Sequence, residues 1–225
     1  MASDRMEFTG ILRHTTDVRA EGAGVDWARS GRLNGNEVLL VANGAGPHRA
    51  AAAVDAALER FPADAVVSTG FCGALEERLQ IADVICATGI VAQASWPVHV
   101  ARASWPAQAA PLYSTDHVVG TAEEKRQLRS TGASAVEMEA AGVASRAEAH
   151  RLPLYCVRSV TDLAGETLAN DFNAALRADG HFDTMNILGQ AFRHPGARLP
   201  ELLRLRSRCT RAARVLGDFF ADCRF

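Results

Sequence analysis

The chain has 225 residues, 48% of them hydrophobic and 22% charged, and a formal net charge of −2. This is ordinary globular usage, expected to fold as one domain over residues 1–225, and it excludes disordered, fibrous and collagen-like chains. A near-neutral balance offers no global field for nucleic acid, and the longest apolar runs, 38–42 and 63–67, fall far short of the ~20 residues that span a bilayer.

The polar start Met1-Ala2-Ser3-Asp4-Arg5 is not a signal peptide, so a soluble cytoplasmic protein with no stable membrane insertion is expected. Four runs rich in Val, Ile and Leu, at 38–42, 65–68, 82–87 and 154–160, are bounded by Gly, Asn, Pro or Asp and read as buried strands. Between the first two, Pro47 marks a helix start and Val54, Ala57, Leu58 and Phe61 recur at helical spacing, which makes a strand–helix–strand unit. A second helix is predicted over 136–150, with Met138, Ala141, Val143 and Ala144 on its apolar side and Leu152-Pro153 as its stop. Strands alternating with helices predict an α/β fold, a three-layer sandwich around a central, largely parallel or mixed sheet. Ligands of such sheets sit beyond the carboxyl ends of the strands, where Gly70, Glu139 and Asp162 are all expected.

The segment 90–111 is rich in Ala, Pro and Trp and repeats Ala-Ser-Trp-Pro at 94–97 and 103–106. Its aromatics either line a substrate entrance or pin the loop to the core. From Leu199 onward, apolar spacing suggests a terminal helix or helix pair carrying Arg204, Arg206, Arg208, Arg211 and Arg214. A solvated helix face explains these arginines, and the alternative is a surface for anionic lipid or a negatively charged partner. Cys72, Cys86, Cys156, Cys209 and Cys223 are odd in number and form no CxxC pair, so neither a disulfide framework nor a zinc site is expected.

Residues 66–75 run from a strand into a turn with Gly70 and Gly73 three apart, where the absence of Cβ lets backbone approach a ligand. Followed by Ile81-Ala82-Asp83-Val84-Ile85, this string resembles the nucleoside phosphorylase and nucleosidase superfamily, in which a strand, a Gly-rich turn and a "GDVV"-like strand occur in that order. Ala135-Val136-Glu137-Met138-Glu139-Ala140 and Val157-Arg158-Ser159-Val160-Thr161-Asp162 are similar to the "VEMEA" and "RSISD" motifs of its methylthioadenosine and adenosylhomocysteine nucleosidase branch. The tail after Asp162 resembles hopanoid-associated and futalosine-processing relatives.

The resemblance implies a set of roles. Glu139 would accept hydrogen bonds from the ribose 2′ and 3′ hydroxyls as an ionised carboxylate, Met138 would pack on the ribose, and Glu137 would position the turn. Val118, mainly through its backbone, would meet the purine, with Phe71 or Val119 nearby, and Gly70 in the Gly-rich turn would also bind substrate. Asp162 would protonate N7 of the departing base, which requires a carboxyl whose pKa is lifted by burial so that it holds its proton. Glu7 is the nearest match to the water-activating glutamate of the family's "AMxxE"-like segment. The apolar first strand that precedes that segment in the family is absent, so either the true start lies upstream or Glu7 is held another way. Ser68 and Phe71 stand where the hexameric phosphorylases carry Arg and Ser, which favours water over phosphate as the acceptor. The expected activity is therefore hydrolysis of an adenosine-type nucleoside, without metal or cofactor, by a homodimer. The alternatives are a phosphorylase using Arg49 and the Gly70 turn, and an inactive nucleoside-binding protein.

Overall fold

The computed structural model describes residues 1–224. Strands β1 (Thr15–Ala20), β2 (Trp27–Leu33) and β3 (Asn36–Ala42) form an antiparallel sheet in that order. The larger sheet contains β4 (Val66–Ala74), β5 (Val84–Val91), β6 (Ser95–Pro97), β7 (Gln108–Ser114), β8 (Ala135–Glu137) and β9 (Leu154–Asp162), in the order β6-β5-β7-β8-β4-β9. Strand β9 lies parallel to β4 and also pairs antiparallel with β5, so the sheet closes on itself. The β4–β9, β5–β7 and β7–β8 pairs are parallel and the others antiparallel, giving a mixed sheet.

The run at 38–42 is a strand, as expected, but it belongs to the small sheet. Met1 and Ala2 link the two sheets. Ala2 bridges Ala42 in parallel and donates its N–H to Val41 O at 3.0 Å, while Thr69 N–H donates to Met1 O at 2.9 Å. The Met1 ammonium donates to Val67 O at 2.8 Å, and burial, followed by the charge of Arg158, pulls its pKa down to about 5.

Helices α1 (Pro47–Leu58) and α3 (Ala140–Ala149) pack together on one side of the large sheet, over a core that includes Val54, Val66, Ile85, Leu112, Val143 and Val160. Helix α5 (Pro195–Ala221) covers the other side, where Leu216 and Phe219 meet Phe8, Ile11 and Val157. Helix α2 (Ala122–Arg129) bridges β7 and β8, and α4 (Thr184–Arg193) precedes α5. Among the described residues, no helix is long and apolar enough to cross a membrane.

Two sequence expectations change here. The helix predicted over 136–150 starts only at Ala140, because Val136 and Glu137 lie in β8, hydrogen-bonded between β7 and β4. The Glu137 carboxylate accepts the N–H groups of Glu139 and Ala140, ending the strand and starting the helix. The two Ala-Ser-Trp-Pro copies also differ in use. Trp96, in edge strand β6, packs on the core and donates Nε1–H to Glu148 of α3 at 3.1 Å, whereas Trp105 is exposed. The first copy thus pins its loop to the core.

Candidate active site

Glu7 lies in a 3-10 turn, Arg5–Phe8, opened by a capping box with Asp4. Its Oε2 accepts Ser3 N–H and Ser3 Oγ–H at 2.8 Å and Asp4 N–H at 3.0 Å, and Oε1 accepts Phe71 N–H of β4 at 2.8 Å. Four hydrogen bonds to one carboxylate hold it in place and bury it. Gly70 is what admits it. A Cβ there would lie 2.9 Å from the Glu7 carboxyl carbon and closer still to Oε1, and the backbone φ is +139°. Gly70 sits inside β4 rather than in a turn beyond its end, and Glu7 occupies the space a side chain there would need.

Arg158, fully buried on β9, is ion-paired to Glu137, donates Nη2–H to Ser68 Oγ at 2.8 Å and stands 3.8 Å from Glu139. Its Nε and Nη1 have no partner among the described residues. Glu139 stands at the start of α3 without a side-chain capping bond and accepts Gly46 N–H at 3.3 Å. Burial, followed by the like charge of Glu137, pushes its pKa up to about 8. The sequence reading needs an ionised clamp, yet the free site favours the protonated form at neutral pH. Met138 is half-buried beside it.

Asp162 ends β9 over Gly73, where a Cβ would lie 2.7 Å from Oδ2. Gly70 and Gly73 thus seat two carboxylates along about 10 Å of one strand. Gly73 also pairs with Val136, which leads directly into Glu137 and Glu139. Around Asp162 the structure departs from expectation. Lys125, wholly buried on α2, donates Nζ–H to Asp162 Oδ2 at 2.5 Å and to Leu163 O at 2.7 Å. A buried ammonium, and not an apolar pocket, is the dominant neighbour of the predicted acid.

The base-side residues are rearranged too. Both backbone polar groups of Val118 are taken by the carboxamide of Asn173: Val118 N–H donates to Oδ1 at 2.7 Å and Nδ2–H donates to Val118 O at 2.8 Å. Val119 is buried in a small core with Leu75, Ala133 and Val136, so it supports the segment from below. The ring of Phe71 packs against the core of Phe8, Leu216 and Phe219, leaving its N–H as its link to the site. His117 is exposed and bonded to Asp116 and Glu124, which raise its pKa in that order. Arg49, the cation considered for phosphate, is bound to Asn43 O and Asp26. No group of three His, Cys, Asp or Glu able to hold a metal occurs among the described residues.

Sequence reasoning assigned no role to Arg158 or Lys125. Arg158 carried a readable signal, since an arginine inside an apolar strand run must find a buried partner. Lys125 sits in the polar string Ala122–Arg129 and reads there as one more solvated cation.

The sequence model of the phosphorylase superfamily matches residues 7–116 and 98–181. A 5′-methylthioadenosine/S-adenosylhomocysteine nucleosidase of Staphylococcus aureus is 26% identical over 177 residues, covering 65% of this chain and 78% of that one. Among solved structures, futalosine hydrolase of Helicobacter pylori superposes with a TM-score of 0.72 at 18% identity, covering 97% of this chain and 92% of that one. The 5′-methylthioadenosine/S-adenosylhomocysteine nucleosidase of Neisseria meningitidis in complex with methylthio-immucillin-A gives a TM-score of 0.68 at 19% identity, with 96% of each chain covered. With its family matched from residue 7 to residue 181 and the same fold over nearly its whole length, the chain belongs to the phosphorylase superfamily.

Proposed function

We propose that this chain is a purine nucleoside N-ribohydrolase, cleaving a 5′-substituted adenosine-type nucleoside with water to free base and a ribose derivative. One observation carries the reading: the Glu7 and Asp162 carboxylates lie against Gly70 and Gly73 of β4, Glu139 is close enough to feel the charge of Glu7, and Arg158, Lys125 and Arg49 are each bound to a carboxylate. Such a site accepts protons and hydroxyl donors readily, and its carboxylates repel a phosphate dianion.

In this reading Glu139 grips the ribose hydroxyls in its ionised form and Met138 packs on the sugar. As the C1′–N9 bond breaks, its electron pair passes to the base, a proton from the Asp162 side reaches N7, and the base leaves neutral. Water adds to C1′ and gives its proton to Glu7. Arg158 offsets the charge of Glu137 and Glu139, and Gly70 and the Phe71 N–H hold Glu7 in register.

The Asn173 carboxamide offers Val118 an acceptor and a donor in the same order as N1 and the N6 amino group of adenine. An incoming adenine displaces it and takes over both bonds. The reading also has the chain work in the cytoplasm as a homodimer. Met185 and Phe192, 77% and 68% exposed, share one face of α4 with Leu188 and would be covered by a second copy.

The test is turnover of adenosine-type nucleosides in phosphate-free, heavy-oxygen water. The proposal expects free base and one heavy oxygen at C1′ of the sugar product. Turnover that needs added phosphate and yields ribose 1-phosphate would replace it with a phosphorylase.

A further inference from the structure

Helix α2 presents an unusual surface to the protein. Its sequence, Ala-Glu-Glu-Lys-Arg-Gln-Leu-Arg, is strongly polar, and its one buried residue is Lys125. Burying an ammonium is costly unless it is paired, and both of its bonded partners, Asp162 Oδ2 and Leu163 O, lie at the end of β9. Helix α2 therefore delivers a charge, and no apolar side chain, to the end of β9. Thr121 caps its start by accepting Glu124 N–H, fixing the turn that carries Lys125.

We propose that Lys125 is a positioning residue that stores the proton used in base departure, so that the acid of the reaction is the Lys125–Asp162 pair and not Asp162 alone. The inference rests on the hydrolase reading above. When C1′–N9 breaks, Asp162 takes a proton from the Lys125 ammonium and hands it to N7, which leaves a neutral amine, an unchanged carboxylate and a neutral base. The proton that Glu7 takes from water, or one from solvent, restores the ammonium afterwards, and the sum is addition of one water to the nucleoside.

The remaining charged and titratable groups facing the pair permit this. Glu166 is held by Arg208 of α5 in a two-bond pair at 2.7 and 2.8 Å, so neither is a free competitor for the proton. Burial raises the pKa of the thiols of Cys72 on β4 and Cys209 on α5, so both stay neutral. Lys125 and Asp162 are left as the exchangeable partners.

The test compares two leaving groups in the intact chain. An adenine nucleoside needs N7 protonation, whereas a nitrophenyl riboside leaves as a stable anion and does not. Lys125→Met and Lys125→Arg are each assayed on both, together with Asp162→Asn and thermal unfolding. Arginine keeps the charge and the tether but does not release its proton. Both Lys125 variants are expected to lose about 10²- to 10⁴-fold in kcat on the nucleoside, the usual range for general-acid help, and to lose little on the nitrophenyl riboside. Equal losses on both substrates, or Lys125→Arg with wild-type nucleoside turnover, would overturn the proposal and leave Lys125 as a structural tether. Should the wild-type protein release no base from any purine nucleoside, the hydrolase reading itself fails first.

Discussion

Replacing Gly70 with alanine tests how β4 and the N-terminal turn build the site together. The new Cβ would lie 2.9 Å from the Glu7 carboxyl carbon, on backbone with φ at +139°, so the carboxylate must move and the strand must bend. Losing the Phe71 N–H bond to an ionised carboxylate costs about 1.5–3 kcal/mol. Holding alanine at that φ adds about 1–3 kcal/mol, and the stiffer unfolded chain returns about 0.4–1 kcal/mol. Urea unfolding should show a net loss of about 2–5 kcal/mol, and kcat for nucleoside hydrolysis should fall by at least about 10²-fold as the base is displaced. Gly73→Ala is the control. Its backbone needs no special φ and its Cβ meets only the Asp162 carboxylate at 2.7 Å, so stability should change less while nucleoside turnover still drops. Unfolding of Gly70→Ala within about 0.5 kcal/mol of wild type, with full activity, would refute the placement of Glu7 against this strand.

Glu139 supplies a pH dependence whose sign is fixed by its pKa of about 8, above its ordinary value of 4.5. Ribose hydroxyls need the ionised form, so kcat/KM should rise about tenfold per pH unit up to about pH 8 and then level, with this limb absent in Glu139→Gln. The fold prefers the protonated form, so its contribution to stability is complete below pH 4.5 and is lost as pH rises toward 8, by at most about 1.4 kcal/mol per unit. Unfolding midpoints across that range should show this slope in wild type and lack it in Glu139→Gln. Arg158→Met strands Glu137 and Glu139 as unpaired buried acids and should cost about 3–5 kcal/mol in urea unfolding. Asn173→Ala frees the Val118 backbone, and KM for an adenine nucleoside should fall by about 5- to 30-fold, the equivalent of about 1–2 kcal/mol of hydrogen bonding; an unchanged or higher KM contradicts the placeholder role.

Much of the scaffold was legible because buried strands announce themselves. The runs at 65–68, 82–87 and 154–160 became β4, β5 and β9, and the interval between the Glu139 and Asp162 motifs corresponds to one helix and one strand. Strand β8 was not legible, since three residues are too few for alternation to show and they abut a helical pattern. Glu7 lies too near the terminus to look ordered, although Asp4-Arg5-Met6-Glu7 is itself a capping-box pattern, and its partner Phe71 is 64 positions away. The Lys125 contact with Asp162 and the Asn173 contact with Val118 join segments 37 and 55 residues apart through polar side chains, which carry no periodic signal. Long-range polar pairing was thus the part that needed coordinates.

The most direct measurement is single-turnover base release from an adenine nucleoside by wild type and Asp162→Asn, with nucleoside binding measured in parallel. The site described here predicts a rate loss of about 10²- to 10⁴-fold with binding largely retained. Equal rates in the two proteins would contradict it, because the proton for the departing base would then come from somewhere other than the end of β9.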